Sequence, residues 1–139
     1  MSNRKVRVRF APSPTGFIHI GGIYSAMLDE RLAHQTGGIF YLRIEDTDKK
    51  REVEGAVDMI VKASNRFGLN IDEGFDINGN QVGDYGPYLQ SERKAIYQVF
   101  VKKLLLAGRA YVCFATQAEL EQIVKTQTDN NELIGYRKN

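Results

Sequence analysis

Cysteine is nearly absent from this chain: Cys113 stands alone among 139 residues. One thiol cannot close an internal disulfide or build a cysteine-cluster metal site, so no protein-bound metal, and zinc in particular, is expected. Long apolar runs are missing as well. No stretch approaches the ~20 residues that a membrane-spanning helix requires. No apolar segment of signal-peptide type is present at the start, where Met1-Ser2-Asn3-Arg4-Lys5 leads straight into strand-like sequence. These absences predict a cytoplasmic protein without a membrane partner. Charge of one sign is also lacking. The net value of +2 is too small to argue for nucleic acid by itself, and the clusters Arg4-Lys5-Arg7-Arg9 and Lys49-Lys50-Arg51 are first of all solvated faces. No internal repeat is evident. What remains is a globular composition, 42% hydrophobic and 26% charged, in a length sufficient for one domain with a real core.

The informative stretch lies near the start. Val6, Val8 and Phe10 alternate with Lys5, Arg7 and Arg9, which predicts a strand with one row of side chains toward a core and the arginines facing the other way. Pro12-Ser13-Pro14-Thr15-Gly16 follows as a stiff turn. Two prolines set φ there, and Gly16 is available for a positive φ. His19-Ile20-Gly21-Gly22 then opens a helix, with Gly21 and Gly22 removing Cβ atoms where a ligand could approach the backbone. Free N–H groups and the positive end of the helix dipole favour phosphate at such a position. His19 projects beside that end as a donor. Taken alone it is more often an ordinary histidine of a capped turn.

Downstream, Tyr24, Met27, Leu28 and Leu32 recur at helical spacing to about Gln35, and Thr36-Gly37-Gly38 closes the helix. Ile39 to Ile44 is a second strand, making a βαβ unit whose strands should be parallel. Val53, Ala56, Val57, Ile60, Val61 and Ser64 mark one face of a second helix that ends near Gly68. The pattern is the first half of a Rossmann-like, doubly wound α/β sheet, in which ligands bind beyond the carboxyl ends of the strands. Residues 11–22 and Glu45 to Asp48 both lie at such ends, so one rim should carry both. Residues 69–90 look loop-like. Ser91 caps a third helix striped with Ile96, Val99, Phe100 and Leu104 and stopped at Gly108. Tyr111 to Phe114 is a short strand candidate, Thr116 with Glu119 forms a capping box, and Thr126 to Asn139 forms a polar, poorly ordered tail.

The string Arg9-Phe10-Ala11-Pro12-Ser13-Pro14-Thr15-Gly16, followed by His19-Ile20-Gly21-Gly22, resembles the first signature of class I aminoacyl-tRNA synthetases in its glutamyl version. Two further blocks are similar to that family: Gly37-Gly38-Ile39-Phe40-Tyr41-Leu42-Arg43-Ile44-Glu45-Asp46-Thr47-Asp48 and Tyr85-Gly86-Pro87-Tyr88-Leu89-Gln90-Ser91-Glu92-Arg93. Glutaminyl relatives usually carry Pro-Glu-Pro-Asn-Gly and Phe-Asp-Asp-Thr-Asn at the first two places, which makes the glutamyl resemblance the closer one.

The resemblance implies ATP-dependent attachment of L-glutamate to tRNA(Glu) through a glutamyl-adenylate, with Mg2+ accompanying ATP. The ATP signature comprises Pro12, Ser13, Pro14, Thr15, Gly16, His19, Gly21 and Gly22, with His19 in the catalytic role. Arg9, Ala11, Ser13 and Glu45 match the family's glutamate-binding positions, Arg9 for a carboxylate and Glu45 for the ammonium; alone, Arg9 is an edge-strand surface charge. Asp46, Thr47 and Asp48 would cap the next helix, and Arg43, Asp48 and Arg51 would meet tRNA. Residues 1–107 would be the N-terminal half of the catalytic domain and 108–139 the start of an inserted acceptor-binding subdomain, in an enzyme that is monomeric when full length.

Departures follow too. Ile23-Tyr24-Ser25 stands where many relatives have Ala-Arg-Thr, and Cys113 lacks its companion at Ala115. The family's second ATP signature lies beyond residue 139, so residues 1–139 alone should be inactive. Two other readings stay open: a relative that glutamylates queuosine in tRNA, and a non-catalytic nucleotide- or tRNA-binding module.

Overall fold

The computed structural model describes residues 5–136; the sequence features assigned to residues 1–4 and 137–139 lie outside them. Strand β1 (Arg7–Phe10) leads through the proline turn to helix α1 (Ile20–Gln35), and α1 returns to strand β2 (Ile39–Leu42). The two strands are parallel, with Arg7 beside Ile39 and Phe10 beside Leu42, as the βαβ spacing predicts. The return is tight because Gly37 adopts φ +65° and Gly38 lies against the first strand, where a Cβ would come within 2.4 Å of the Val6 carbonyl.

The alternation along β1 sorts its two faces. Val8, Phe10, Phe40 and Leu42 share one face by register. Phe10, Phe40, Leu42 and Ile44 are buried there with Ile23, Ala26 and Ala33 of α1 and Ile60 and Val61 of helix α2 (Ala56–Arg66). The expected stripe of α1 is corrected: Tyr24, Met27, Leu28 and Leu32 are exposed, and the helix rests on the sheet through smaller side chains. Close approach of a helix to a sheet selects alanine, which a search for large apolar residues passes over.

Beyond Leu42 the chain takes new partners. The second edge of β2 is bonded by residues 72–73 (Leu42 N–H to the Glu73 carbonyl, 2.9 Å), and Ile44 is then bracketed by Tyr88 and Gln90, each through a 2.9 Å backbone bond. Residues 69–90 therefore hold more order than their glycines suggest, including the hairpin β3 (Gly74–Phe75) and β4 (Gln81–Val82). Two-residue strands are too short to show alternation. Their turn is formed by Asp76, whose carboxylate accepts from the backbone N–H groups of Asn78 and Asn80.

By packing, the chain divides into residues 1–98 and residues 99–139. Gln90–Arg93 forms a 3-10 turn that runs into α3 (Lys94–Leu106), so Ser91 is not the cap of that helix. In the second unit, Tyr111 to Phe114 is not a strand. Helix α4 (Gln117–Asp129) begins at the capping box, with the Thr116 N–H donating to Glu119 at 2.6 Å. It runs into the first residues of the expected tail, as far as Asp129, with the Thr126 and Thr128 hydroxyls bonded back to carbonyls one turn earlier. No helix among the described residues is long and apolar enough to cross a membrane.

Candidate functional site

The proline turn leaves the carboxyl end of β1 and is stitched to its neighbours by backbone bonds. The Pro12 carbonyl accepts from the Glu45 N–H at 2.9 Å and the buried Pro14 presents its carbonyl to the Val53 N–H at 2.9 Å. These bonds bring the two sequence blocks edge to edge, at the carboxyl ends of adjacent parallel strands. Pro12, Ser13, Thr15, Gly16, Phe17, Ile18, His19 and Gly22 line a cleft of about 430 Å³, floored by Phe10 and Ile60.

His19 stands at the N-cap of α1 with extended backbone (φ −105°, ψ 167°), and its carbonyl accepts from the Gly22 N–H at 3.0 Å. Its imidazole caps nothing and has no hydrogen-bond partner among the described residues. Gly21 leaves room for that ring, since a Cβ there would sit 3.1 Å from two imidazole atoms. A Cβ at Gly22 would meet Ile18 at 3.3 Å. These glycines therefore accommodate His19 and Ile18 directly, a cause nearer than the ligand approach read from sequence. Gly16 is also corrected: its φ is not positive, and its missing side chain opens onto the cleft.

On the arginine face, Arg9 and Glu45 form an ion pair, Nη1 to Oε1 at 3.4 Å. Arg43 reaches the same Oε1 from its Nη2 at 3.0 Å. One carboxylate oxygen is thus shared by two guanidiniums. Ala11 is half-buried between this cluster and the turn. The cluster and the His19 cleft have no lining residue in common and are joined through the backbone at Pro12. Among the residues assigned to tRNA, Arg43 turns onto Glu45, whereas Asp48 and Arg51 pair with each other at 2.6 Å near the surface.

Sequence reading missed Asp46. Instead of capping α2, whose N-cap is Gly55, its carboxylate is 2% exposed and accepts from the Ser91 N–H (2.9 Å), the Ser91 hydroxyl (2.6 Å) and the Lys49 ammonium (2.8 Å). Burial pushes this carboxyl up, but the bonds from Lys49 and Ser91 outweigh burial and hold it below the ordinary value. A partner 45 residues away leaves no local signal. A second missed cluster joins Arg7, which binds Glu73 through two nitrogens, to the Tyr88 hydroxyl on the same carboxylate. The Arg7 guanidinium also lies over the Tyr85 ring at 4.3 Å. Arg7 holds the Glu73 carboxyl below its usual range.

Comparison with known proteins identifies the family. Residues 5–138 match the family described as tRNA synthetases class I (E and Q), catalytic domain. A glutamate–tRNA ligase of Acetivibrio thermocellus is 57% identical over 128 residues, which cover 92% of this chain and 23% of that protein. One from Clostridium perfringens is 57% identical over 120 residues, covering 86% and 22%. The crystal structure of a glutamate tRNA ligase from Elizabethkingia meningosepticum in complex with its amino acid has a TM-score of 0.83 at 42% identity, over 96% of this chain and 26% of that one. The chain spans about a quarter of the length of these relatives. By its three sequence blocks, its parallel βαβ core and these matches, the chain belongs to the class I tRNA synthetases of the E and Q type, within their catalytic domain.

Proposed function

We propose that the protein carrying this chain is a glutamate–tRNA ligase, which condenses L-glutamate with ATP to glutamyl-adenylate, releases pyrophosphate and passes the glutamyl group to tRNA(Glu). The carrying observation is the Arg9–Glu45 pair beside the His19 cleft, at the carboxyl ends of two adjacent parallel strands, where α/β sheets bind their ligands. In this reading the Arg9 guanidinium takes the side-chain carboxylate of glutamate, because its fork matches two oxygens. Glu45 takes the ammonium, with Ala11 and Ser13 along the same segment. The triphosphate lies in the cleft at the head of α1, where the first N–H groups lack intrahelical acceptors, with Pro12 to Gly16, Gly21 and Gly22 around it. His19, with no protein partner of its own, donates to phosphate oxygens as negative charge accumulates there, the electrostatic part of nucleotidyl transfer.

Mg2+ enters with the nucleotide, bound through its phosphates, since none of the cleft's side chains is a carboxylate. Asp48 and Arg51 lie on the tRNA side, residues 1–107 make the first half of the catalytic domain, and residues 108–139 begin the acceptor-binding part. The protein works as a cytoplasmic monomer.

The test is glutamate-dependent pyrophosphate exchange with tRNA present, by the protein in its cellular form. Arg9→Ala should cost roughly 2–5 kcal/mol, the scale of losing one partner of a buried charge pair, expressed in KM for glutamate and not for ATP. Equal losses for both substrates, or no loss, would remove Arg9 from the amino-acid pocket. A polypeptide of residues 1–139 should bind nucleotide weakly without turnover, because it presents one side of the phosphate site only.

A further inference from the structure

We propose that Arg43 is a positioning residue for amino-acid recognition: by sharing Oε1 of Glu45 it keeps the Arg9–Glu45 contact loose, so that Arg9 stays available for the substrate carboxylate and the second oxygen of Glu45 for the ammonium. The inference rests on the proposed glutamate site and assigns that site a residue whose guanidinium never touches the substrate.

Glu45 Oε1 has two cationic neighbours of different character. Arg43 is the closer, at 3.0 Å, with its side chain 15% exposed. Arg9 is the looser, at 3.4 Å, with its side chain 42% exposed. A charge-assisted N–H to carboxylate bond settles near 2.7–2.9 Å when nothing prevents it, so the Arg9 contact is an incomplete bond. The Arg43 side chain is the more enclosed of the two, and it rises from a backbone set in the sheet by the Arg43 N–H bond to the Phe10 carbonyl at 3.0 Å. Its Nε is buried with no hydrogen-bond partner among the described residues. Arg43 is thus the permanent partner of Glu45, and Arg9 is the exchangeable one.

Without Arg43, the only counter-charge for Glu45 in the cluster would be Arg9. The two would close into a full ion pair, and an incoming dicarboxylic amino acid would have to break it before being read. With Arg43 present, the same substrate gains Arg9 at little expense while Glu45 keeps one oxygen neutralised and one open.

Side-chain nitrogen NMR and ligand binding, both on the whole protein that carries this chain, test this in two arms. In the ligand-free chain, Arg43→Gln should slow exchange of the Arg9 Nη–H protons about tenfold or more as Arg9 takes Glu45 alone through Nη1, the scale of one gained charged hydrogen bond. Adding Glu45→Gln to that variant should restore fast exchange. In the second arm, L-glutamate should bind Arg43→Gln about tenfold or more weakly and Arg43→Lys nearly as well as the unsubstituted chain, with ATP affinity within about twofold throughout. An unchanged Arg9 signal, unchanged glutamate affinity, or an equal loss of ATP would each overturn the assignment of Arg43. No glutamate binding by the unsubstituted chain would overturn the proposed glutamate site instead, and Arg43 would then be judged by the Arg9 signal alone.

Discussion

Replacing Asp46 by asparagine should loosen the whole joint between the second sequence block and the turn before α3. Two hydrogen bonds from Ser91 reach the carboxylate. Bonds to a charged group each contribute about 1.5–3 kcal/mol, and the lower end applies because Ser91 is exposed and water replaces part of what is lost. Lys49 is 59% exposed and adds at most about 1 kcal/mol. Asparagine keeps the volume and one acceptor for the Ser91 N–H, and it relieves the desolvation of a buried charge. Its amide nitrogen, however, takes the place of Oδ2 and faces both the Ser91 hydroxyl and the Lys49 ammonium with no lone pair to offer. The net expectation is about 1–2 kcal/mol for Asp46→Asn and about 3 kcal/mol for Asp46→Ala. Urea unfolding followed by circular dichroism would register the first as a fall in midpoint of roughly 1 M or less.

A cycle with Ser91→Ala separates the bond from general packing: the two changes should couple by about 1 kcal/mol. The sign with pH follows from the lowered carboxyl. Its stabilisation is fully present above the unfolded value of 3.8 and is lost as pH falls through the lower folded value, so the difference between the unsubstituted chain and Asp46→Asn should shrink only in strong acid. Strict additivity of the cycle, or a loss under about 0.5 kcal/mol, a size typical of surface changes, would refute the anchoring role.

Two further outcomes follow from the same physics. Glu73→Gln leaves Arg7 and the Tyr88 hydroxyl without their shared carboxylate, and should destabilise the chain by about 2–4 kcal/mol, somewhat below a fully buried pair because Arg7 is partly exposed; thermal unfolding would read it. His34 bonds Asp72 and Glu30, each at 2.9 Å, and its pKa is raised chiefly by the bond to Asp72. Its charged form therefore stabilises the fold below the unfolded value of 6.5, and that contribution disappears as pH rises through the higher folded value. Urea midpoints across this range should fall with pH in the unsubstituted chain and lie flatter in His34→Gln.

Much of the site was legible from the residues, and what was missed has identifiable causes. Phe10 and Arg9 declared opposite faces because a strand repeats every two residues. His19 and Gly21-Gly22 marked a helix start, and the structure places His19 at the N-cap with the two glycines making room for the His19 and Ile18 side chains. The Thr116 capping box could be read because both of its bonds lie within four residues. Tyr24, Met27, Leu28 and Leu32 misled because side-chain size was taken for burial, while the contact with the sheet was made by Ile23, Ala26 and Ala33. The hairpin at β3 and β4 was hidden by its brevity.

Local rules settled the first βαβ elements of this protein and the start of α4. Alternation, helical spacing, the glycines closing α1 and the capping box depend on neighbours a few residues apart, and their energetics act before any long-range contact forms. Three family-like blocks carried the resemblance in the same local way. Which charges meet was decided only by folding. Arg9 and Arg43 share Glu45 because register sets β1 beside β2. Asp46 finds Ser91, and Arg7 finds Glu73, across separations of 45 and 66 residues. Such pairings depend on where the backbone delivers two side chains in space, and a buried carboxylate finds its donors only once the chain around it has closed.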